Sequence, residues 1–446
     1  MSSVEGILKP FSKVLGGARL PHNKNTADSA TTPLLAPDKV ILPVIQHIGA
    51  PCVPVVKKGD AVFVGTKIAD SDAPVSAPIH SSVSGRVVSI EKVRHATGVM
   101  CDAVIIENDR LGTPDPSLAP HPVSTPEELV KAARESGLVG LGGAGFPTHV
   151  KLQVSPDRPL DTLIVNGAEC EPYITSDYRE CIECPDDILG GIYLIKDILG
   201  LRRVIIGVED DKPAAIDVLY KIAADRQDKK NEVRLMKLRS HYPQGAEKVL
   251  IYTTTGIKVP AHKLPADVGC IVMNITSVAA LFRFIKTGMP LVSRRITVDG
   301  NAVNRPRNVM CPIGTPIDKL LDFCGAENPE KVIMGGPMMG MALSDISVPV
   351  LKQNNAILAF KGRQAEGFET TNCISCGRCV KACPMFLRPR AVETAVEFKK
   401  GTDTFSKLGA DYCIECGSCA YSCPARRPLV QAMRLAKSEI RKAGAK

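Results

Sequence analysis

Two runs of cysteine near the end of the sequence limit what this chain can fold into more than any other feature. Cys373-Ile-Ser-Cys376-Gly-Arg-Cys379-Val-Lys-Ala-Cys383-Pro384 and Cys413-Ile-Glu-Cys416-Gly-Ser-Cys419-Ala-Tyr-Ser-Cys423-Pro424 share one pattern, and each cysteine of the second lies forty positions after its counterpart in the first. Three closely spaced thiolates wrap three corners of a cubane, and the proline turns the chain away so that the fourth cysteine serves the other cluster. The spacing therefore assigns Cys373, Cys376, Cys379 and Cys423 to one 4Fe-4S centre, and Cys413, Cys416, Cys419 and Cys383 to the other. Zinc ribbons use paired two-cysteine knuckles without the third cysteine and the proline, and disulfides are rare inside cells, so structural zinc and a disulfide framework fit less well. Two such centres side by side conduct single electrons, which leaves open what feeds them.

A chain of 446 residues has room for about two to four domains, each with its own core. No apolar run approaches the length of a membrane span; the longest, Cys270 to Ile285, is interrupted by Asn274, Thr276, Ser277 and Arg283. Met1 to Pro10 lacks the features of a secretory signal, which gives the expectation of a cytoplasmic chain whose sixteen cysteines are reduced. A net charge of +9 suits an anionic membrane surface, an acidic redox partner or a dinucleotide, and equally a solvated basic surface. Nucleic acid fits poorly, because aromatics are only 4% and none interleaves with a basic stripe.

Residues 1–36, rich in Gly, Pro, Asn, Ser and Thr, read as an extended arm. Over 37–112 short β runs alternate with turn signals: Val40 to Val44, Val53 to Val56, Ala61 to Val64, Gly85 to Glu91 and Ala103 to Glu107. This resembles a barrel-sandwich hybrid of the biotinyl/lipoyl type, but its tip, Ala69 to Pro74, has no carrier lysine.

Residues 113–288 alternate strands and helices, the pattern of a Rossmann-like parallel sheet covered on both faces. A helix starts with Thr125 as N-cap and Pro126 at its first position, and ends near Gly137. Next comes Gly140-Leu-Gly142-Gly143-Ala-Gly145-Phe146-Pro, which lets backbone amides approach a phosphate or a flat ring, with Lys151 to supply positive charge. Strand Thr162 to Val165 runs into Asn166-Gly-Ala-Glu169-Cys-Glu171-Pro, at the end of a strand where α/β sheets place ligands. Strands Arg203 to Val208 and Val233 to Leu238 follow, with a helix from Pro213 to about Arg226 between them. Tyr242-Pro-Gln-Gly245-Ala-Glu247-Lys lies beyond them, and a further strand ends at Asn274-Ile-Thr276.

Residues 289–352 are again β-rich, with Arg295 to Val298, a turn at Asp299-Gly300-Asn301 and a strand from Ala302 reading as a hairpin, then a helix carrying Leu320, Leu321 and Phe323. Residues 353–446 form the cluster domain, with helices Arg388 to Lys400 and Pro428 to Ala443. The second of these places Leu429, Met433, Ala436 and Ile440 on one face, to close the domain's core or to dock on a membrane or partner. Cys170, Cys181 and Cys184 form a loose trio whose irregular spacing and lack of a nearby His argue against a further metal, and His80 and His149 read as structural.

The Gly-rich loop, the Asn-Gly-x-Glu-x-Glu-Pro loop, the Tyr-x-x-Gly-x-Glu segment and the Asn-x-Thr strand end resemble, in the same order, the flavin subunit of respiratory complex I, which binds FMN and NADH. The Gly16-Gly17-Ala-Arg-Leu-Pro and Gln46-His47-Ile-Gly-Ala-Pro segments, the His80 to Gly85 corner and the twin cysteine motifs extend a resemblance over nearly the whole chain to the RnfC family of Rnf ion-translocating ferredoxin:NAD oxidoreductase complexes. The resemblance implies an SLBB β-grasp domain over 289–352 and a ferredoxin-like helical domain at the end. It implies an FMN phosphate near Gly142, Gly143, Gly145 and Lys151, and a flavin ring touching Asn166, Glu169, Gly245, Asn274 and Thr276. It implies a nicotinamide near Phe146 and Glu171, lined by Tyr242 and Glu247. Leu141, Ala168 and Ala246 depart from the complex I motif, which has Arg, Asp and Glu there.

A chain holding a flavin and two cubanes converts the electron pair of a hydride into single electrons. The resemblance therefore implies an NAD-dependent ferredoxin oxidoreductase component, peripheral on the cytoplasmic face of the cell membrane and held by other Rnf subunits, with ferredoxin as an indirect partner. A cobalamin reductase-type flavin and iron–sulfur relative, and an electron carrier that keeps the clusters without flavin, are the competing readings.

Overall fold

The computed structural model describes residues 7–153, 157–225 and 233–444. The first six residues of the expected arm, and Arg226 at the expected end of a helix, lie outside the described residues.

A four-stranded parallel sheet organises the centre of the chain, in the spatial order Val233–Leu238, Arg203–Glu209, Thr162–Gly167, Cys270–Asn274. Leu163, Ile164 and Val165 are consecutive and fully buried because helices cover both faces, so the strand is an apolar run without alternation. On one face Leu163 and Val165 pack with Ile188, Leu189, Ile192, Ile195 and Phe284. On the other, Ile164 and Val272 pack with Leu250 and Ile251. The order of the strands reverses between Thr162–Gly167 and Cys270–Asn274, which places the crevice of an α/β sheet outside their carboxyl ends. Helix Pro126–Glu135 precedes the sheet; Thr125 accepts from Glu128 N while Glu128 accepts from Thr125 N, a reciprocal cap.

In the barrel-sandwich unit, strands Lys39–Pro43, Met100–Asn108, Gly85–Arg94 and Ala61–Val62 form one sheet, and Val53–Pro54, Lys67–Asp70 and Ile79–His80 the other. The last two strands escape the sequence reading because a β-bulge at Lys67/Ala69 breaks their alternation. The tip is fastened, not free: Asp70 Oδ1 and Ser71 O accept from Arg134 Nη2 at 2.8 and 2.7 Å. Behind it Lys352, 1% exposed, donates to Pro78 O at 2.5 Å and Gly137 O at 2.8 Å, and joins this unit to the central one.

The next sheet is mixed, in the order Thr32–Pro33, Arg307–Pro312, Ser293–Asp299, Ala356–Phe360, Lys331–Met334, Met341–Ala342. Two sequence expectations change here. The strand returning to Ser293–Asp299 is Arg307–Pro312, not a run from Ala302: Ala302 N donates to Ala359 O, and Pro306, without an N–H, delays re-entry. Strand Ala356–Phe360, beyond the expected boundary at 352, lies inside the sheet with neighbours on both sides. Arg295 of this sheet pairs with Glu180 and, at 2.9 Å, with Glu183; Glu180 also takes Arg283 at 2.7 Å.

The arm is a strap. Leu8 N donates to Leu235 O (2.9 Å), Gly17 N to Ala382 O (2.8 Å), and Thr32–Pro33 joins the mixed sheet. Lys24 Nζ donates to the carbonyls of Glu169, Glu171 and Ile174 at 2.8, 2.8 and 2.6 Å.

The cluster domain repeats itself in backbone as well as sequence. Ser375 and Glu415, Gly377 and Gly417, and Phe386 and Arg426 share left-handed φ values of 56° and 58°, 69° and 80°, and 57° and 50°. Helix Leu429–Gly444 buries Leu429, Met433 and Ala436. Met433 and Ala436 pack against Val392 and Phe405, so its apolar stripe closes the domain's own core.

Candidate functional site

The Gly-rich loop closes on itself through Gly140 N to Phe146 O (2.8 Å) and Gly145 N to Gly140 O (3.1 Å). Leu141 is buried; its N–H donates to Ser277 Oγ at 3.0 Å and its carbonyl accepts from Arg294 Nη2 at 3.1 Å. Gly142, Gly143 and Ala144 are exposed, so the pinned loop shows bare backbone where a side chain at Gly143, with φ of 110°, would be strained. A methyl group on Gly142 would sit 3.4 Å from Asn274 Nδ2, which sets the loop beside the end of the fourth strand. Lys151, on the short helix Thr148–Leu152, donates to Glu247 Oε1 at 2.9 Å and Val272 O at 3.2 Å. Asn166 Nδ2 donates to Gly245 O at 2.9 Å, and a methyl group on Gly245 would run into Ala168 O. Gly142, Gly143, Lys151, Glu247 and Asn274 thus gather at the reversal of the sheet, with Asn166 and Gly245 joining the neighbouring loops. Phe146 is half-buried at the foot of the loop.

Three expected ring contacts turn away from that crevice. Both Glu169 oxygens accept from the start of helix Ser176–Glu183: Ser176 Oγ (3.1 Å), Asp177 N (2.8 Å) and Tyr178 N (3.3 Å). A carboxylate there satisfies open N–H groups and the positive end of the helix. Asn274 Nδ2 and Thr276 Oγ1 each donate to Asp177 at 2.6 Å, and Asn274 Oδ1 caps the following helix at Ser277 N. Burial, and then the Glu169 charge, push the Asp177 carboxyl up. The side chains of Glu169, Asn274 and Thr276 are therefore taken up by helix starts and by Asp177.

Glu171 and Tyr242 lie elsewhere again. The Glu171 carboxylate accepts from Met338 N (3.0 Å) and Met339 N (2.9 Å), and burial pushes it up to about 7. Tyr242, 3% exposed, donates from its hydroxyl to Cys416 O at 2.6 Å. They stand at a joint with the cysteine domain: the Gly336 to Met339 turn covers Glu171, and Tyr242 borders a small cleft with Lys24, Glu169 and His241.

Cys383, Cys413, Cys416 and Cys419 line one cleft with Leu387, Val430 and Met433. Among the described residues no three Cys, His, Asp or Glu side chains close on a point as a single metal ion requires. Four thiols on one wall are the donor set of a multi-iron group. In an apolar cleft burial pushes the Cys413 thiol up to about 11, and Cys383 and Cys419 upward too, so thiolates there need positive iron beside them. Leu387 N and Glu415 N point at the sulfurs of Cys383 and Cys413, each at 3.3 Å. Of the other set, Cys373 and Cys376 are exposed and Cys379 and Cys423 half-buried. Cys170, Cys181 and Cys184 have separate surroundings: Cys181 sits in the apolar core, Cys170 beside Gly245, and Cys184 against Arg295.

Arg294, Asp177 and Lys24 are parts of the site that sequence reasoning missed. Arg294 had a faint signal, a fully buried arginine being unusual in a strand, and it brings charge behind the loop at the Leu141 carbonyl.

Four family models match in chain order: the RnfC barrel sandwich hybrid domain over 12–111, the Nuo51 FMN-binding domain over 133–283, the SLBB domain over 295–342 and the 4Fe-4S dicluster domain over 372–426. The NAD+-reducing [NiFe]-hydrogenase in its air-oxidized state shares the fold, with a TM-score of 0.52 and 18% identity over 70% of this chain and 64% of that one. The C subunit of the Na(+)-translocating ferredoxin:NAD(+) oxidoreductase complex of Acetobacterium woodii is 41% identical over 95% of this chain and 96% of its own length. Its counterpart in the proton-translocating ferredoxin:NAD(+) oxidoreductase complex of Clostridium ljungdahlii is 42% identical over 94% of this chain and 92% of its own. This agreement along nearly the full length of both relatives shows that the chain belongs to the RnfC family, the C subunits of ion-translocating ferredoxin:NAD(+) oxidoreductase complexes.

Proposed function

We propose that this chain exchanges hydride with NAD(H) and passes single electrons through two 4Fe-4S centres, as the flavin and iron–sulfur subunit of a membrane-bound complex whose other subunits translocate ions. One observation carries the reading: loops at the strand ends of the flavin domain reach the four-cysteine cleft directly, through Tyr242 and Cys416 O. FMN, when bound, takes electrons in pairs and releases them singly. Gly142, Gly143 and Lys151 hold its phosphate, with Gly145 closing the loop behind them and Arg294 adding charge there. Asn166 and Gly245 bound the ring's space, Glu169, Asn274 and Thr276 brace the helix starts around it, and Phe146 and Glu247 border the nicotinamide. The inner set, Cys383, Cys413, Cys416 and Cys419, adjoins the flavin domain, and the outer set, with exposed Cys373 and Cys376, faces the next carrier.

No helix among the described residues is long and apolar enough to cross a membrane. As a C subunit of such a complex the chain is read as peripheral, on the cytoplasmic face, held by its partner subunits, with ferredoxin reached only through them.

Lys151→Ala is expected to weaken FMN binding about 10-fold, the loss of roughly one charge-assisted contact, while iron per chain stays unchanged. Fluorescence titration of flavin-stripped protein with FMN reads this. An unaltered affinity would move the phosphate away from Lys151.

A further inference from the structure

We infer that Tyr242, backed by Glu171, is a positioning residue that holds the inner iron–sulfur centre against the flavin domain and sets its reduction potential. The inference rests on the reading of Cys383, Cys413, Cys416 and Cys419 as a 4Fe-4S site. Contacts from three separate parts of the chain converge on the backbone around these cysteines. From the strand-end loop, the Tyr242 hydroxyl donates to Cys416 O at 2.6 Å, with the ring buried. From the arm, Gly17 N donates to Ala382 O at 2.8 Å, and a methyl group on Gly16 would lie 2.9 Å from the Cys383 carbonyl carbon. From the mixed sheet's domain, Met338 O lies where a methyl group on Gly417 would come within 2.9 Å of it.

Glu171 ties two of these together. Its carboxylate is clamped by Met338 N and Met339 N and lies against the Tyr242 hydroxyl. On the other side, Arg434 donates to Met339 O at 3.3 Å and pairs with Glu415 at 3.1 Å, and Lys437 donates to Cys413 O at 2.8 Å. The outer set has no comparable enclosure: Cys373 and Cys376 are exposed.

The electrostatic consequence has a sign. A reduced cluster carries one more negative charge, and hydrogen bonds and nearby charges tune its potential. The Tyr242 hydroxyl turns the positive end of its dipole toward a ligand of the inner centre and favours the reduced form; the ionised Glu171 carboxylate opposes it. Opposite shifts are therefore expected from two shape-conserving changes.

The test is a potentiometric EPR titration of the reconstituted full chain at about pH 8.5, where a carboxylate titrating near 7 is ionised, with the outer signal assigned by its loss in Cys376→Ala. Tyr242→Phe is expected to lower the inner potential, Glu171→Gln to raise it, and both to leave the outer potential and iron content as in the parent. Unchanged inner potentials, shifts of the same sign, or loss of iron from the inner site would each overturn the inference. Absence of any 4Fe-4S signal in the parent protein would instead overturn the assignment on which it rests.

Discussion

Cys416→Ala is expected to strip the inner centre and cut NADH-driven reduction of a one-electron acceptor by about two orders of magnitude, while FMN stays bound. The reason is positional. The flavin domain touches the cysteine domain at Cys416, through the Tyr242 hydroxyl, so on this account the inner centre is the entry point and the outer one lies beyond it. Without the inner centre the outer has no near donor. Iron per chain should fall from about eight to about four, and NADH should still bleach the flavin. Anaerobic iron analysis with stopped-flow absorbance checks both. Undiminished acceptor reduction would mean that electrons enter through the exposed cysteines instead.

Glu180→Ala should cost about 3–5 kcal/mol of stability, the scale for removing one partner of a buried ion pair. Glu180 is 1% exposed and holds two guanidiniums, Arg283 of the flavin domain and Arg295 of the mixed sheet, itself 4% exposed. Its removal leaves positive charge in a buried joint with only Glu183 and Asp187 beside it. A urea or thermal melt compared with the parent reads the effect. Glu180→Gln, which keeps the volume and a hydrogen bond to one arginine, should lose less. A melt indistinguishable from the parent's would show that water reaches this joint.

Local chemistry was the legible part. The cysteine spacing, the apolar run of Thr162–Gly167 and the capping signature around Thr125 each depend on residues a few positions apart, and each has its counterpart in the structure. What stayed hidden depends on distance along the chain. Nothing near Tyr242 says that its hydroxyl meets a backbone carbonyl 174 residues later, or that Glu171 is clamped by a turn 167 residues on. Glu169 and Asn274 were legible as polar residues at strand ends, but the helices that follow also need caps, and here the capping demand takes them. The boundary at 352 failed for a similar reason: Ala356–Phe360 is an apolar segment that completes a sheet begun some sixty residues earlier, a pairing no local pattern announces.

The most direct test of the central claim is a stepwise NADH titration of the reconstituted chain under argon, followed by absorbance and EPR together. The account predicts one FMN per chain, bleaching of the flavin band by NADH, and reduced 4Fe-4S signals growing as it bleaches. Protein that carries its iron but holds no flavin, or whose clusters stay oxidised while NADH is consumed, would contradict it.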